Sequence, residues 1–180
     1  MKDLKKVLAI CGSTRTRSTN MNLIKAMTDL ARDQFEMTIF EGLTQLPHFN
    51  PDLDGEQTPG AIISFRKTLR SYDGILICTP EYAMGVPGTL KNAIDWTVSS
   101  MEFSHKPTAL VTASSLGQKG HQSLLDTLRI IEAQVTPETE LVISHAQTKV
   151  SSEPIITDEK TREGIKKLLA AFFELMKGNS

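Results

Sequence analysis

The sequence predicts an α/β protein, a doubly wound sandwich in which helices cover both faces of a five-stranded parallel sheet. Three observations predict it. Five short β-rich runs alternate with segments of helical period along the 180 residues. The runs are apolar at nearly every position, as strands buried on both faces are, and do not alternate as half-solvated antiparallel strands do. No internal repeat or linker breaks the alternation, and the length gives a prior of one domain, so residues 1–180 are expected to form a single domain.

The elements follow in order. Residues 7–11 are an apolar strand, followed by a hydroxyl-rich loop over 12–18. Leu23, Ile24, Met27, Leu30 and Ala31 then recur at helical spacing. Residues 35–40 form a second, partly alternating strand. Residues 41–57 hold Gly42, Pro47, Pro51 and Gly55 and read as a long loop over one edge of the site or a subunit contact. Ala61, Ile62, Phe65 and Leu69 mark the second helix. Residues 74–79 are a third buried strand, ended by Pro80, which cannot donate to a ladder. Pro87 suits the first turn of the next helix, whose inner face carries Leu90, Ala93, Ile94 and Val98. Residues 108–113 are the fourth strand. A Ser/Gly loop over 114–120 leads into a helix with Leu124, Leu125, Leu128 and Ile131. Residues 140–144 are a short fifth strand, and 145–157 are irregular. In the last helix Ile165, Leu168, Leu169, Phe172, Phe173 and Met176 share one face, with Thr157 or Asp158 as the cap.

Composition excludes several function classes. Hydrophobic residues make up 39% and charged residues 23%, a balance that excludes disorder of the chain as a whole. Twenty Lys and Arg against 21 Asp and Glu leave a net charge of -1, which provides no general footprint for nucleic acid or an anionic membrane. Two cysteines, Cys11 and Cys78, exclude a disulfide scaffold and a cysteine-rich metal or iron–sulfur site. They lie at the ends of neighbouring strands, as two core thiols or, alternatively, a redox pair. The basic start of the chain precedes only five apolar residues, too few for a signal-peptide core. No stretch approaches the ~20 apolar residues of a membrane span. A cytoplasmic protein without nucleic-acid or membrane partners is expected. His48, His105, His121 and His145 show no metal-ligand spacing, and His121 is expected at the surface.

In open parallel sheets, ligands bind beyond the carboxyl ends of the strands, where the winding direction reverses. With five strands, the flavodoxin-like order 2-1-3-4-5 selects the loops at 11–20, 79–88 and 114–121. These are also the loops of unusual composition. The first holds Gly12, five hydroxyls (Ser13, Thr14, Thr16, Ser18, Thr19), Asn20, Arg15 and Arg17 at the start of a helix. Free N–H groups there favour an anion, and the hydroxyls and Arg15 would complete a phosphate site. The plain alternative is a solvated loop with a Ser or Asn cap. Neither a Walker loop nor a dinucleotide glycine fingerprint is present. Cys11 and Arg17 have the C-x5-R spacing of low-molecular-weight tyrosine phosphatases and arsenate reductases, whose cysteine attacks phosphorus. The Asp-Pro segment that supplies their acid is missing, so this reading ranks last.

The second loop reads Thr79-Pro80-Glu81-Tyr82-Ala83-Met84-Gly85-Val86-Pro87-Gly88-Thr89-Leu90-Lys91-Asn92. Together with Gly12, Ser13, Arg15, Ser18 and Asn20 it resembles the NADPH-dependent FMN reductase family, which includes flavodoxin-like quinone, chromate and azo-dye reductases. The resemblance implies bound FMN, with NADPH or NADH as co-substrate. It places Ser13, Arg15, Ser18 and Asn20, with the adjoining Thr19, at the phosphate and ribityl chain. Pro80, Glu81 and Tyr82 match the turn bordering the isoalloxazine. Ala83 stands where Asn is frequent, and Met84, Tyr82 and Val86 are expected as apolar walls. Ser114, Ser115 and Gly117 belong to a segment approaching the other side of the ring, and Gly120-His121 stands where Gly-Gly is frequent. Gly85 and Gly88 are expected to allow close backbone approach. Glu81 can fix the turn through backbone hydrogen bonds. Lys91, Asn92 and Asp95 read either as a solvated helix face or as catalytic, and Trp96 as an interface or a partly buried residue.

The implied function is an FMN-dependent NAD(P)H oxidoreductase. Hydride passes from NAD(P)H to FMN and then to a quinone, azo compound, metal oxyanion or free flavin, with no protein acid, base or nucleophile assigned. A flavin-binding redox sensor or electron carrier is the alternative from another class. The resemblance also implies a small-molecule electron acceptor and a homodimer or homotetramer.

Overall fold

All five expected strands form, and every pairing is parallel. In the computed structural model, which describes residues 4–178, β1 (Lys5–Cys11), β2 (Phe35–Ile39), β3 (Gly74–Thr79), β4 (Thr108–Ser114) and β5 (Glu140–Ser144) make one sheet in the order β2-β1-β3-β4-β5. Residues 1–3, which begin the stretch read against a signal peptide, and residues 179–180 of the expected 1–180 domain lie outside the described residues. Cys11 is opposite Cys78, and Thr79 is opposite Thr112. The carboxyl ends of β1, β3 and β4 are therefore level, and their loops emerge side by side.

Alternate residues of the apolar strands feed two cores. Val7, Ala9, Leu76 and Val111 pack under α1 (Thr19–Ala31) and α5 (Glu159–Lys177). Leu8, Ile10, Ile75, Ile77 and Leu110 pack under α2 (Gly60–Arg70), α3 (Gly88–Asp95) and α4 (Gln118–Ile130). Every residue of β3 is buried, and each such Leu or Ile contributes ~1.5–3 kcal/mol of transfer free energy. Asp158 caps α5, its carboxylate accepting from the Thr161 amide at 2.8 Å.

Several expected core positions are corrected. Leu30 is 41% exposed, because the buried seam of α1 runs through Leu23, Ile24, Met27 and Ala31. Ala61 sits one position off the Ile62, Phe65 and Leu69 stripe and is exposed. Pro87 is the residue before α3 rather than in its first turn, and Val98 lies beyond the end of that helix, in solvent. The 41–57 segment contains short 3₁₀ turns at Leu43–Gln45 and Pro51–Leu53. It is strapped to α3: Asn92 accepts from the Phe49 amide at 2.7 Å and donates to Pro47 O at 3.0 Å, and Trp96 Nε1 donates to Pro47 O at 2.8 Å. Asn92 is thus a structural tie, and Trp96 is wholly buried within the chain, edge-on to Phe49. Lys91 and Asp95 form their i, i+4 ion pair.

Candidate active site

The cradle begins where β1 ends. A Cβ on Gly12 would lie 2.2 Å from Thr79 Oγ1 and 3.1 Å from Leu90 Cδ2, so only glycine lets the chain leave the strand against β3 and α3. The loop then reaches Ser18, which caps α1: its Oγ accepts from the Met21 amide at 3.2 Å. The amides of Thr19 and Asn20 have no protein acceptor among the described residues. The first turn carries no acid of its own to offset the positive end of the helix. Arg15 and Arg17 are exposed, with no carboxylate partner among the described residues. Asn20 is buried and braces the cradle: Nδ2 donates to Ala113 O at 3.1 Å, and Oδ1 accepts from Cys78 Sγ at 3.3 Å. What Asn20 offers a ligand is its main-chain N–H and one remaining Nδ2 hydrogen.

The facing wall is built from the segment after β3. Tyr82 and Gly85 exchange two main-chain hydrogen bonds of 2.9 Å, and Ala83 and Met84 between them have φ of 50° and 63°. This is the geometry of a type I′ turn. It carries Ala83 and Met84 away from the cleft, and Met84 is 72% exposed, so the expected Met84 wall is not there. Val86 packs into the core beneath α3. Gly85 and Gly88 meet no crowding that would require glycine; the close approach occurs instead at Gly120. Glu81 fixes the turn from both ends of its residue. Its main-chain O accepts from Ser114 Oγ at 3.4 Å, and its Oε2 accepts from the Gly120 amide at 2.6 Å.

The third loop is shorter than expected, because α4 already starts at Gln118. Gly117 is the N-cap with φ of 101°, a conformation reserved for glycine, and it supports α4 without lining the cleft. His121 is inside α4 and buried, which corrects the surface expectation: β4 and β5 supply polar partners for both ring nitrogens.

These segments border an open cleft of about 260 Å³, just under the ~300–1,000 Å³ of small-molecule sites. Ser13, Arg15, Ser18, Thr19, Asn20, Pro80, Glu81, Tyr82, Ser114 and Ser115 line it; Ala83, Met84 and Gly117 do not. Ala113, Ala146 and Gln147 also line it, and sequence reasoning missed them. The His145 amide donates to Ser115 O at 3.0 Å and brings the 3₁₀ turn Ala146–Thr148 over the cleft. No local sequence signal marks that turn. One end of the cleft thus offers free amides, hydroxyls and an unpaired guanidinium. The other offers Pro80, Tyr82 and main chain, so the residues fit a ligand with a phosphate at one end and a flat ring at the other.

Cys11 does not fit a phosphate-attacking nucleophile. It is buried, and burial pushes its thiol up, outweighing the hydrogen bonds to Ser13 O and Ser18 that pull it down. A nucleophilic thiol needs the opposite. Burial pushes Cys78 further up, and neighbouring Cys11 adds to it; both thiols are free.

Fold and cleft together define a flavodoxin-like α/β protein with an open cleft at its switch point. The chain belongs to the NADPH-dependent FMN reductase family, whose model matches residues 5–148. It is 33% identical over 177 residues to an NAD(P)H-dependent FMN reductase of Pseudomonas aeruginosa, covering 95% of each chain. It is 38% identical over 119 residues to a quinone reductase of Pseudomonas putida, covering 63% of this chain and 62% of that one. Among solved structures it is similar to FerB, a flavoenzyme NAD(P)H:(acceptor) oxidoreductase from Paracoccus denitrificans. The TM-score is 0.77 at 24% identity over 97% of this chain and 98% of that one, a likeness of fold. Among the described residues no helix is long and apolar enough to cross a membrane.

Proposed function

We propose that this chain is an FMN-dependent NAD(P)H oxidoreductase acting on small-molecule electron acceptors. The observation that carries the reading is the anion cradle, from Ser13 to Asn20, opening directly into a cleft walled by Pro80 and Tyr82. The Thr19 and Asn20 amides, the Ser13, Ser18 and Thr19 hydroxyls and Arg15 hold the phosphate. Pro80, Tyr82 and the main chain of Glu81 border the ring on one side, Ser114 and Ser115 on the other. FMN bound there supplies the redox chemistry, taking hydride from NADPH or NADH and reducing a quinone, azo compound, metal oxyanion or free flavin. The protein orients both partners, and no side chain in the cleft is assigned as acid or base. Residues 1–180 form one FMN-binding domain in this reading. Two buried free thiols suit the cytoplasm, and a homodimer or homotetramer is the expected assembly.

The test is a visible spectrum of the purified chain after incubation with FMN and desalting, repeated after anaerobic addition of NADPH or NADH. Retained flavin bands near ~370 and ~450 nm that bleach with either nucleotide are expected. Retained bands that do not bleach would point to an electron carrier or redox sensor. Cys11→Ser should keep both binding and bleaching; no flavin retained by the wild type would undermine this reading and leave a phosphatase assay of Cys11 as the next test.

A further inference from the structure

Among the buried polar groups that the proposed chemistry does not use is His121. Its ring lies between α4, β4 and β5. Nδ1 is 2.9 Å from Thr112 Oγ1, and Nε2 is 3.2 Å from Glu140 Oε2. Thr112 is fully buried, and the His121 side chain is 9% exposed. Nε2 faces the Glu140 carboxyl group, and the two share a hydrogen bond. Nδ1 shares its hydrogen bond with the Thr112 hydroxyl. The ring therefore clamps the first turn of α4 to two strands at once.

That turn is where the cleft wall is seated. The N-cap of α4 is Gly117, which has no side chain to satisfy the first amides of the helix, and the first turn carries no acid. The missing acceptor comes from elsewhere in the chain: Glu81 Oε2 takes the Gly120 amide at 2.6 Å. The carboxylate sits at the positive end of α4, where a negative charge is favoured. The contact is close. A Cβ on Gly120 would lie 2.8 Å from Gly85 O and 3.0 Å from Glu81 Cγ. The α4 first turn is therefore packed directly against the segment from Glu81 to Gly85 and tied to it by the Gly120–Glu81 hydrogen bond. The same segment carries Tyr82 at the cleft.

We propose that His121 is a positioning residue for the FMN site: it anchors the first turn of α4, so that the Gly120 amide holds Glu81, and Glu81 holds the ring-bordering turn in register with Ser114. This inference rests on the FMN reading above. It assigns His121 no contact with cofactor or substrate. Its specific content is that His121 and Glu81, which share no hydrogen bond, act as one unit through α4 on the ring.

The experiment compares wild type, His121→Ala, His121→Gln, Glu81→Gln and the His121→Ala/Glu81→Gln double variant, each loaded with FMN. The readouts are the FMN Kd from flavin fluorescence, the shape of the bound-flavin visible bands, and kcat and KM for NADPH. Each of His121→Ala and Glu81→Gln is expected to weaken FMN about tenfold and to alter the band shape. The double variant is expected to weaken it about as much as either single change, because coupled residues are not additive. His121→Gln carries a donor and an acceptor in one planar group and should restore the Kd to within about threefold of wild type. Two results would overturn the proposal: His121→Ala melting at lower temperature with unchanged Kd and band shape, or losses that multiply in the double variant. If His121→Ala does not fold, Glu140→Gln, which weakens the same clamp, must reproduce the band-shape change, and its failure to do so counts equally against the proposal. Wild type that retains no FMN would instead overturn the FMN reading, and this inference with it.

Discussion

Replacing Arg15 by alanine separates phosphate recognition from every other property of the cleft. Arg15 is exposed, lines the cleft and has no ion pair among the described residues. The folded chain without ligand should barely notice its loss, with a change within about ±0.5 kcal/mol. A charge-assisted hydrogen bond to a phosphate is worth ~1.5–3 kcal/mol, so the Kd for FMN should rise by roughly 10- to 150-fold. Riboflavin has the same ring and ribityl chain without the phosphate, and its Kd should change less than twofold. Ser18→Ala is the informative contrast. It removes the α1 cap at Met21, costing about 1 kcal/mol of stability. That should lower Tm by about 2–4 °C in a chain of this size and weaken FMN as well. The assay is fluorescence titration with both flavins at two salt concentrations, beside thermal melts without ligand. Attraction between Arg15 and the phosphate is screened by salt, so the wild-type advantage should shrink as salt rises. Equal losses for FMN and riboflavin, or no loss for either, would refute the phosphate assignment.

Three further outcomes follow from the packing and electrostatics. Gly12→Ala drives a Cβ onto Thr79 and Leu90, both fully buried; it should cost ~1–3 kcal/mol by urea denaturation. Ala83→Asn with Met84→Gly places turn residues that tolerate positive φ where the chain already has φ of 50° and 63°. Stability should rise by ~0.4–1 kcal/mol with FMN affinity unchanged, since neither side chain lines the cleft. Ser99, and then Arg66, hold the Asp54 carboxyl below the usual aspartate range. The stabilisation from that group is present above the unfolded value near ~3.9 and is lost as pH falls through the lower folded value. Asp54→Asn should therefore lower Tm at neutral pH, and the gap to wild type should close in strong acid.

The strands are legible in the sequence because each is a short apolar run between breakers, and burial on both faces demands such runs. Helix periods are legible wherever one face is buried over several turns, as from Ile165 to Met176. They mislead at the edges: Leu30 and Val98 fit the period by spacing alone, but the helix seam or the helix end passes them by. The cradle is legible because its parts are contiguous. A glycine, hydroxyls, two arginines and a Ser cap within ten residues need only a helix start to become a cradle. The turn after Pro80 is legible as a turn, but not in its direction. Positive φ at Ala83 and Met84 appears in no residue pattern, and glycine would have been expected there.

By itself, then, the sequence determined the order and type of the elements, the parallel sheet and the end of the sheet at which the cleft opens. Those follow from local period, chain breakers and the handedness of β-α-β connections, all written along contiguous residues. Only the tertiary structure decided that Gln147 and Ala146 close the cleft, that Met84 faces solvent, and that Asn20 spends most of its side chain bracing β3 and β4. It also decided that His121 is buried between Thr112 and Glu140 and that Glu81 caps a helix it does not belong to. Each of these depends on which distant residue arrives opposite which. That is set by strand register and by the first turn of a packed helix, and no pattern within a single segment encodes it.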